Sequence, residues 1–267
     1  MNCDPSNPNG CGVVNVWQET VPIRFGAIDK SDRLTLDAVF QFFQEAATSH
    51  AENLGVGREA MAESKQAWIL SRISVFMEKR PKYKDTVTVS AWPCGFEKLF
   101  AIRDYEIKDK DDKVLVSGSS AWLIVDMEKR RPLRPQSVMD ILPLNEGLKA
   151  MTPESGAVTG LTVRENLTKV CERKANYTDL DYYKHVNNVS YIKWIEDSID
   201  PQILENADKM RLDINYLNEI LAGETFEILS AQIDDDTSAD KPSMTIAFEG
   251  RKTESGQASF RAELRLW

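Results

Sequence analysis

Histidine is nearly missing from this chain: His50 and His185 are the only two in 267 residues, so chemistry that needs an imidazole has two places to occur. Cysteine is almost as scarce. Cys3, Cys11, Cys94 and Cys171 are too few and too scattered for a disulfide framework at this length, and no pair has metal-ligand spacing. A reducing cytoplasm is expected, with no metal and no cofactor. Long apolar runs are also lacking. The longest span a few residues, as at 121–125, against the ~20 a spanning helix needs, so a soluble protein without stable membrane insertion is expected.

Positive charge is in deficit, 33 Lys and Arg against 42 Asp and Glu, and a net charge of -9 repels a phosphate backbone at long range. General nucleic-acid binding is disfavoured. There is no Gly-x-Ser-x-Gly elbow, Walker loop or dinucleotide glycine motif, which disfavours serine-hydrolase and nucleotide-dependent chemistry. Residues 1–15, MNCDPSNPNGCGVVN, lack the basic start and apolar run of a signal peptide and read as a disordered lead-in.

What remains reads as one pattern used twice. Val39, Phe43, Ala46, Ala47, His50 and Leu54 recur at helical spacing, with Thr35 as N-cap and Gly55 as stop. Alternating segments follow at 69–75, 86–92, 100–108, 114–119 and 122–126. In the second half Asn188 is read as the cap of a helix striped by Val189, Ile192, Ile195 and Ile199, and alternating segments follow at 211–216, 226–233, 244–251 and 258–266. Residues 83–89 and 222–228 each enter a strand through an acidic turn. A helix followed by an antiparallel run predicts an α+β unit whose sheet covers the helix stripe. The expected divisions are a first domain at 16–145, a linker at 146–165 rich in Pro, Gly and Ser, and a second domain at 166–267.

His50 lies on the apolar stripe of its helix and reads as a core or rim histidine. His185 lies instead in a polar turn, residues 179–188 or DLDYYKHVNN, at a helix start. Unsatisfied N–H groups there point at developing negative charge, which suits thioester hydrolysis if a carboxylate or histidine removes a proton from water. A capped turn that histidine merely fills is the alternative. Glu219, between Asn218 and Ile220, is a candidate base, or a solvated turn acid.

The segment DLDYYKHVNNVSYIKWIEDSI resembles the second-half helix start of acyl-acyl-carrier-protein thioesterases from plant plastids and bacteria. So do QEAATSHAENLG, WILSRISVFMEKRPKYKDTVTVSAW and SSAWLIVDMEKRRPLRP in the first half. The resemblance implies two tandem hotdog domains, each a long helix wrapped by an antiparallel sheet, with catalysis in the second. The family motif Asp-x-Asn-x-His falls on Asp181, Tyr183 and His185, so tyrosine stands where the family has asparagine. The family's Tyr-x-x-Glu falls on Tyr216 and Glu219, followed by Ile220 where a cysteine is frequent, which favours a general base over an acyl-enzyme.

The resemblance implies hydrolysis of a fatty acyl chain from the phosphopantetheine arm of acyl carrier protein, releasing free fatty acid. Glu219 then activates water, Asp181 orients or charges the site, His185 positions water or stabilises the oxyanion, and Asn187 and Asn188 contact substrate. The first domain would hold the acyl chain, with Trp68, Phe40 and Phe43 as candidate walls. Near Thr35, the expected counterpart of His185, no matching triad is seen, so one active site per chain is expected. Lys79, Arg80, Lys82 and Lys84, with Lys129, Arg130, Arg131 and Arg134, are candidate contacts for an acidic carrier. Rival readings are an acyl-coenzyme A thioesterase and a non-catalytic acyl-binding protein of the same fold. A homodimer is compatible with each.

Overall fold

Thr35 does what its position predicts: its hydroxyl accepts the Ala38 N–H at 3.4 Å and starts helix α1, Leu36–Asn53. The helix ends where Gly55 adopts φ 71, a conformation favourable to glycine. The computed structural model describes residues 13–145, 147–151, 160–233 and 242–267. Residues 1–12 of the expected lead-in, and part of the expected linker, lie outside the described residues. The chain divides into two units, one of Met1–Ser71 with Arg80–Val158, the other of Arg72–Lys79 with Thr159–Trp267.

In the first unit β1 (Trp17–Pro22) leads into α1; α2 (Arg58–Glu63), β2 (Gln66–Met77), β3 (Thr86–Glu97), β4 (Phe100–Lys108), β5 (Val114–Asp126), β6 (Arg131–Leu133) and α3 (Gln136–Met139) follow. The order β1-β3-β4-β5 is antiparallel, the short β6 also pairs with β5, and β2 follows β5 in the sheet order. Val39, Phe40, Phe43, Ala46, Ala47 and His50 form the buried side of α1, and Phe43 stacks on Tyr105 of β4 at 4.5 Å between centroids. Burying one such phenylalanine contributes roughly 2–3 kcal/mol.

β5 is one strand where two were expected. The expected gap fell at Ser120 and Ala121, but the buried Ser120 hydroxyl bonds Tyr105 Oη at 3.0 Å and receives Trp122 Nε1–H at 2.7 Å. Pairing with β4 therefore runs on through Ser120 and Ala121.

His50 is fully buried. Its Nδ1 lies 2.9 Å from Arg103 Nη1 and its Nε2 lies 2.8 Å from the Val14 carbonyl. Arginine can only donate, so Nδ1 accepts and Nε2 carries the proton. Burial, then Arg103, pushes its pKa down to about 4. It is a neutral core histidine.

The second unit contains β7 (Thr168–Lys174), α4 (Asn188–Glu196), α5 (Pro201–Asn206), β8 (Met210–Tyr216), β9 (Thr225–Ile233), β10 (Met244–Lys252) and β11 (Ala258–Leu266). The order β8-β11-β10-β9-β7 is antiparallel throughout, and the Arg72–Met77 part of β2 pairs with the other side of β8. The cap of α4 is Asn187, not Asn188: the Asn187 side chain accepts the Val189 N–H at 2.9 Å. The helix stops at Glu196, so Ile199 lies beyond it, and Asp200 caps α5 instead. Tyr191 packs against Tyr216 and Phe260, and Trp194 against Phe226 at 4.4 Å, which lays α4 on its sheet. Each unit is a helix on an antiparallel sheet, the hotdog arrangement the resemblance implies.

Each of three buried carboxylates in the second unit is held by two guanidiniums: Asp213 by Arg211 and Arg265, Glu249 by Arg251 and Arg261, Glu263 by Arg164 and Arg265. Asp213 faces Glu263, and Glu249 faces Arg261, across paired strands.

Candidate active site at the start of α4

After β7 the chain makes a short 3-10 turn, Tyr177–Asp179, closed by a reciprocal Asn176–Asp179 cap. A tight loop then turns back on itself. The Asp181 N–H donates to the His185 carbonyl at 2.8 Å, and the Lys184 N–H to the Asp181 carbonyl at 3.1 Å. Asp181 Oδ1 accepts the Tyr183 N–H at 2.8 Å and the His185 N–H at 3.4 Å. Closing the loop puts Lys184 at φ 65, a left-handed conformation uncommon for lysine. Asp181 thus shapes the loop that carries His185.

A second segment meets this loop. Leaving β8, the chain is pinned where Asn218 Nδ2 donates to the Ala258 carbonyl at 2.7 Å. It then runs beside the loop, with the Val186 N–H on the Ile220 carbonyl at 2.9 Å and a bridge between His185 and Leu221. This brings His185 Nε2 to 3.2 Å from Glu219 Oε2, with the two side chains 30% and 37% exposed. An imidazole and a carboxylate, open to water, meet at a helix start.

The helix start is less free than its position suggests. Asn187 takes two of the first N–H groups, Val189 on its side chain and Ser190 on its carbonyl at 2.9 Å each. Among the described residues this leaves the Asn188 N–H as the open donor of the first turn. Tyr183 holds the loop through its backbone, while its half-exposed ring meets Tyr182 edge-on at 5.5 Å.

Asp181, His185, Glu219, Asn187 and Asn188 therefore come together in the second unit. The candidate wall residues belong to the first unit's packing. Phe40 and Phe43 are buried on α1, and the partly buried Trp68 donates its indole N–H to the Val56 carbonyl at 2.9 Å.

The first unit contains the same turn, offset by 152 residues, with a 3-10 turn at Phe25–Ala27. The Asp29 N–H donates to the Arg33 carbonyl at 2.9 Å, Asp29 Oδ1 accepts from Ser31 and Arg33, and Asp32 takes φ 65. Asp29 thus corresponds to Asp181, and Arg33, not Thr35, to His185. Thr35 corresponds instead to the cap, Asn187. The second segment is repeated as well. The Leu34 N–H meets the Pro81 carbonyl at 2.8 Å, as Val186 meets Ile220, which places Arg80 where the second unit has Glu219.

Charge at that position is reversed. Arg80 is buried, pairs with Asp29 at 2.6 Å and donates to the Leu34 carbonyl at 2.9 Å. The turn that could present a carboxylate and a histidine is occupied here by a locked ion pair, and Arg80 is unavailable as a surface contact for an acidic carrier.

The acyl-ACP thioesterase N-terminal domain model matches residues 14–141, and the C-terminal domain model of the same family matches residues 164–263. The chain belongs to the acyl-ACP thioesterase family. The chloroplastic palmitoyl-acyl carrier protein thioesterase of Cuphea hookeriana is 26% identical over 232 residues, covering 81% of this chain and 54% of the relative. The chloroplastic oleoyl-acyl carrier protein thioesterase of Coriandrum sativum is 22% identical over 263 residues, covering 92% and 70%. The chain spans about half the length of the curated relatives it first matches.

Among solved structures, an acyl-ACP thioesterase from Bacteroides thetaiotaomicron superposes with a TM-score of 0.80 at 21% identity, covering 95% of this chain and 98% of that one. The 12:0-ACP thioesterase from Umbellularia californica superposes with a TM-score of 0.78 at 20% identity, covering 94% of each. At these identities the likeness establishes the tandem hotdog fold.

Sequence reading placed Tyr216 in the Tyr-x-x-Glu match without giving it a role, and it missed Tyr191. Tyr216 Oη donates to the Asn188 carbonyl at 3.1 Å, and Tyr191 lies edge-on to Tyr216 at 5.4 Å. Aligning the two copies of the repeat would have set Tyr191 against the apolar Val39.

Proposed function

We propose that this chain hydrolyses the thioester of a fatty acyl chain carried on the phosphopantetheine arm of acyl carrier protein, releasing the free fatty acid. The observation that carries this reading is the 3.2 Å contact between His185 Nε2 and Glu219 Oε2 beside the start of α4, in a chain of the acyl-ACP thioesterase family. Glu219 takes a proton from water as the water oxygen bonds to the thioester carbonyl carbon. The carbonyl electron pair moves to oxygen, towards the Asn188 N–H. Collapse re-forms the carbonyl and breaks the C–S bond, and the proton passes from Glu219 to the departing sulfur.

His185 fixes the Glu219 carboxylate and positions the water on it. Asp181 holds the loop that carries His185, and Asn187 holds the helix start. Tyr183 stands where the family motif has asparagine; its backbone N–H holds Asp181, and its hydroxyl is a candidate donor to the reacting groups. Trp68, only partly buried, remains a candidate acyl contact in the first unit, while Phe40 and Phe43 serve chiefly as core. Among the described residues no helix is long and apolar enough to cross a membrane. The few, scattered cysteines support a reducing, cytoplasmic setting.

Glu219→Gln tests the mechanism, since it removes a proton acceptor and little else. Turnover on acyl-ACP should fall by at least about a hundredfold, the usual scale for losing a general base, and near-normal turnover would remove Glu219 from the mechanism. Offering one acyl chain on acyl carrier protein and on coenzyme A tests the carrier. A clear preference for coenzyme A would establish the rival reading.

A further inference from the structure

The two copies of the repeat act as controls for one another. Both build the same loop, cap and crossing segment, so a residue needed only for that architecture should serve in both. Tyr191 and Tyr216 fail this test. By the offsets that match Asp29 with Asp181 and Arg80 with Glu219, their counterparts in the first copy are Val39 and Met77, each buried and apolar. The architecture forms there without a hydroxyl at either place.

In the second copy the two tyrosines lie beneath the site. The Tyr216 hydroxyl donates to the carbonyl of Asn188, the first residue of α4. Tyr191, one turn along α4, lies edge-on to Tyr216 and to Phe260 at 5.4 Å each. Its hydroxyl is raised by burial, opposed by the nearby Ile220 backbone, and raised further by Asp181, Glu224 and Glu219. Retaining a hydroxyl on the buried Tyr191 and on the partly buried Tyr216, where apolar side chains suffice, is unfavourable unless the hydroxyls have work to do.

We propose that Tyr191 and Tyr216 are positioning residues of the catalytic copy: Tyr216 holds the Asn188 carbonyl at the start of α4, and Tyr191, packed on Tyr216, supports the Glu219–Ile220 segment beside it. The inference rests on the proposed function, because the geometry they fix matters only if Glu219 and Asn188 take part in hydrolysis. Small misplacements of a reacting group are costly: about 1 Å can lower a rate on the order of a hundredfold.

The test is a double-mutant cycle on the full chain. Tyr191→Phe should lower kcat on acyl-ACP about tenfold while KM stays within about twofold and the thermal midpoint moves little. In a Glu219→Gln background, measured by single turnover, the same change should cost almost nothing more, because a residue acting through Glu219 has nothing left to position. Unchanged kcat, or an equal loss in both backgrounds, would overturn the proposal. Should Tyr191→Phe not fold, Tyr216→Phe is measured with Glu219 in place, where loss of the bond to the Asn188 carbonyl should lower kcat about tenfold with KM within about twofold, and an unchanged kcat would overturn the proposal. If Glu219→Gln is inactive and the tyrosine variants are fully active, the positioning role alone fails. If Glu219→Gln is itself active, the reading of the site fails and the positioning role falls with it.

Discussion

Arg80 and Glu219 hold the same place in two copies of one turn, and replacing them should have opposite consequences. Arg80→Met deletes a guanidinium whose side chain is 4% exposed, removing the ion pair to Asp29 and the hydrogen bond to the Leu34 carbonyl. Removing one partner of a buried pair costs about 3–5 kcal/mol. Asp29 keeps 18% exposure, so partial hydration brings the estimate to about 3 kcal/mol. At about 2–4 °C per kcal/mol for a chain of this size the thermal midpoint should fall by roughly 6–12 °C. Thioesterase activity at 25 °C should stay within about twofold, because the proposed reacting groups lie in the other copy. Adding Asn at Asp29 should recover part of the loss. Glu219→Gln breaks a pair about one-third exposed, so its midpoint should move by no more than the change expected for under about 1 kcal/mol, while turnover collapses. Scanning calorimetry and steady-state hydrolysis on the same preparations supply both readings. An Arg80→Met protein with an unshifted midpoint, or with lost activity at full stability, would refute the division of labour between the two turns.

Three further outcomes are expected. Tyr183→Asn should leave the loop intact, because Tyr183 contributes its backbone N–H to Asp181, and should hold or raise activity; a loss beyond about tenfold in kcat would show that the ring has its own role. Asn187→Ala removes the α4 cap at Val189 and should cost about 1 kcal/mol in urea denaturation, with kcat falling as the Asn188 peptide loosens; stability equal to wild type would count against the cap. His50 has a folded pKa of about 4 against 6.5. As pH falls below 6.5 the unfolded chain therefore binds a proton that the folded chain refuses, and stability drops by about 3 kcal/mol by pH 4. Urea midpoints between pH 7 and pH 4 should show this loss and His50→Gln should blunt it, whereas parallel profiles would contradict a neutral buried histidine.

Much of this was legible where local chemistry and burial agree. Thr35, the stripe through Phe43 and His50, and Gly55 define α1 because cap, core face and stop each leave a residue signature. β4 and β11 appear where alternation predicts them, since one face of each is buried. β7 was not read because its face is polar and largely exposed along an edge, and β5 was split because Ser120 finds partners that only tertiary pairing supplies. Asp181 and His185 stood out as a rare histidine in a polar turn. Glu219 was singled out as one acid among several, and its pairing with His185 depends on a crossing of segments some 34 residues apart in sequence. The match of Arg33 and Arg80 to His185 and Glu219 required hydrogen-bond register, which spacing does not encode.

The division of β2 bears on how the protein could be dissected. Its Arg72–Met77 stretch supplies the hydrogen-bonded neighbour of β8, although it precedes the linker by many residues. A fragment beginning at Thr159 would retain Asp181, His185 and Glu219 yet present β8 as a bare edge, inviting self-association in place of activity. Supplying a peptide of residues 66–79 to that fragment should restore the missing strand, so split-protein complementation, rather than truncation alone, is the route to studying the second unit.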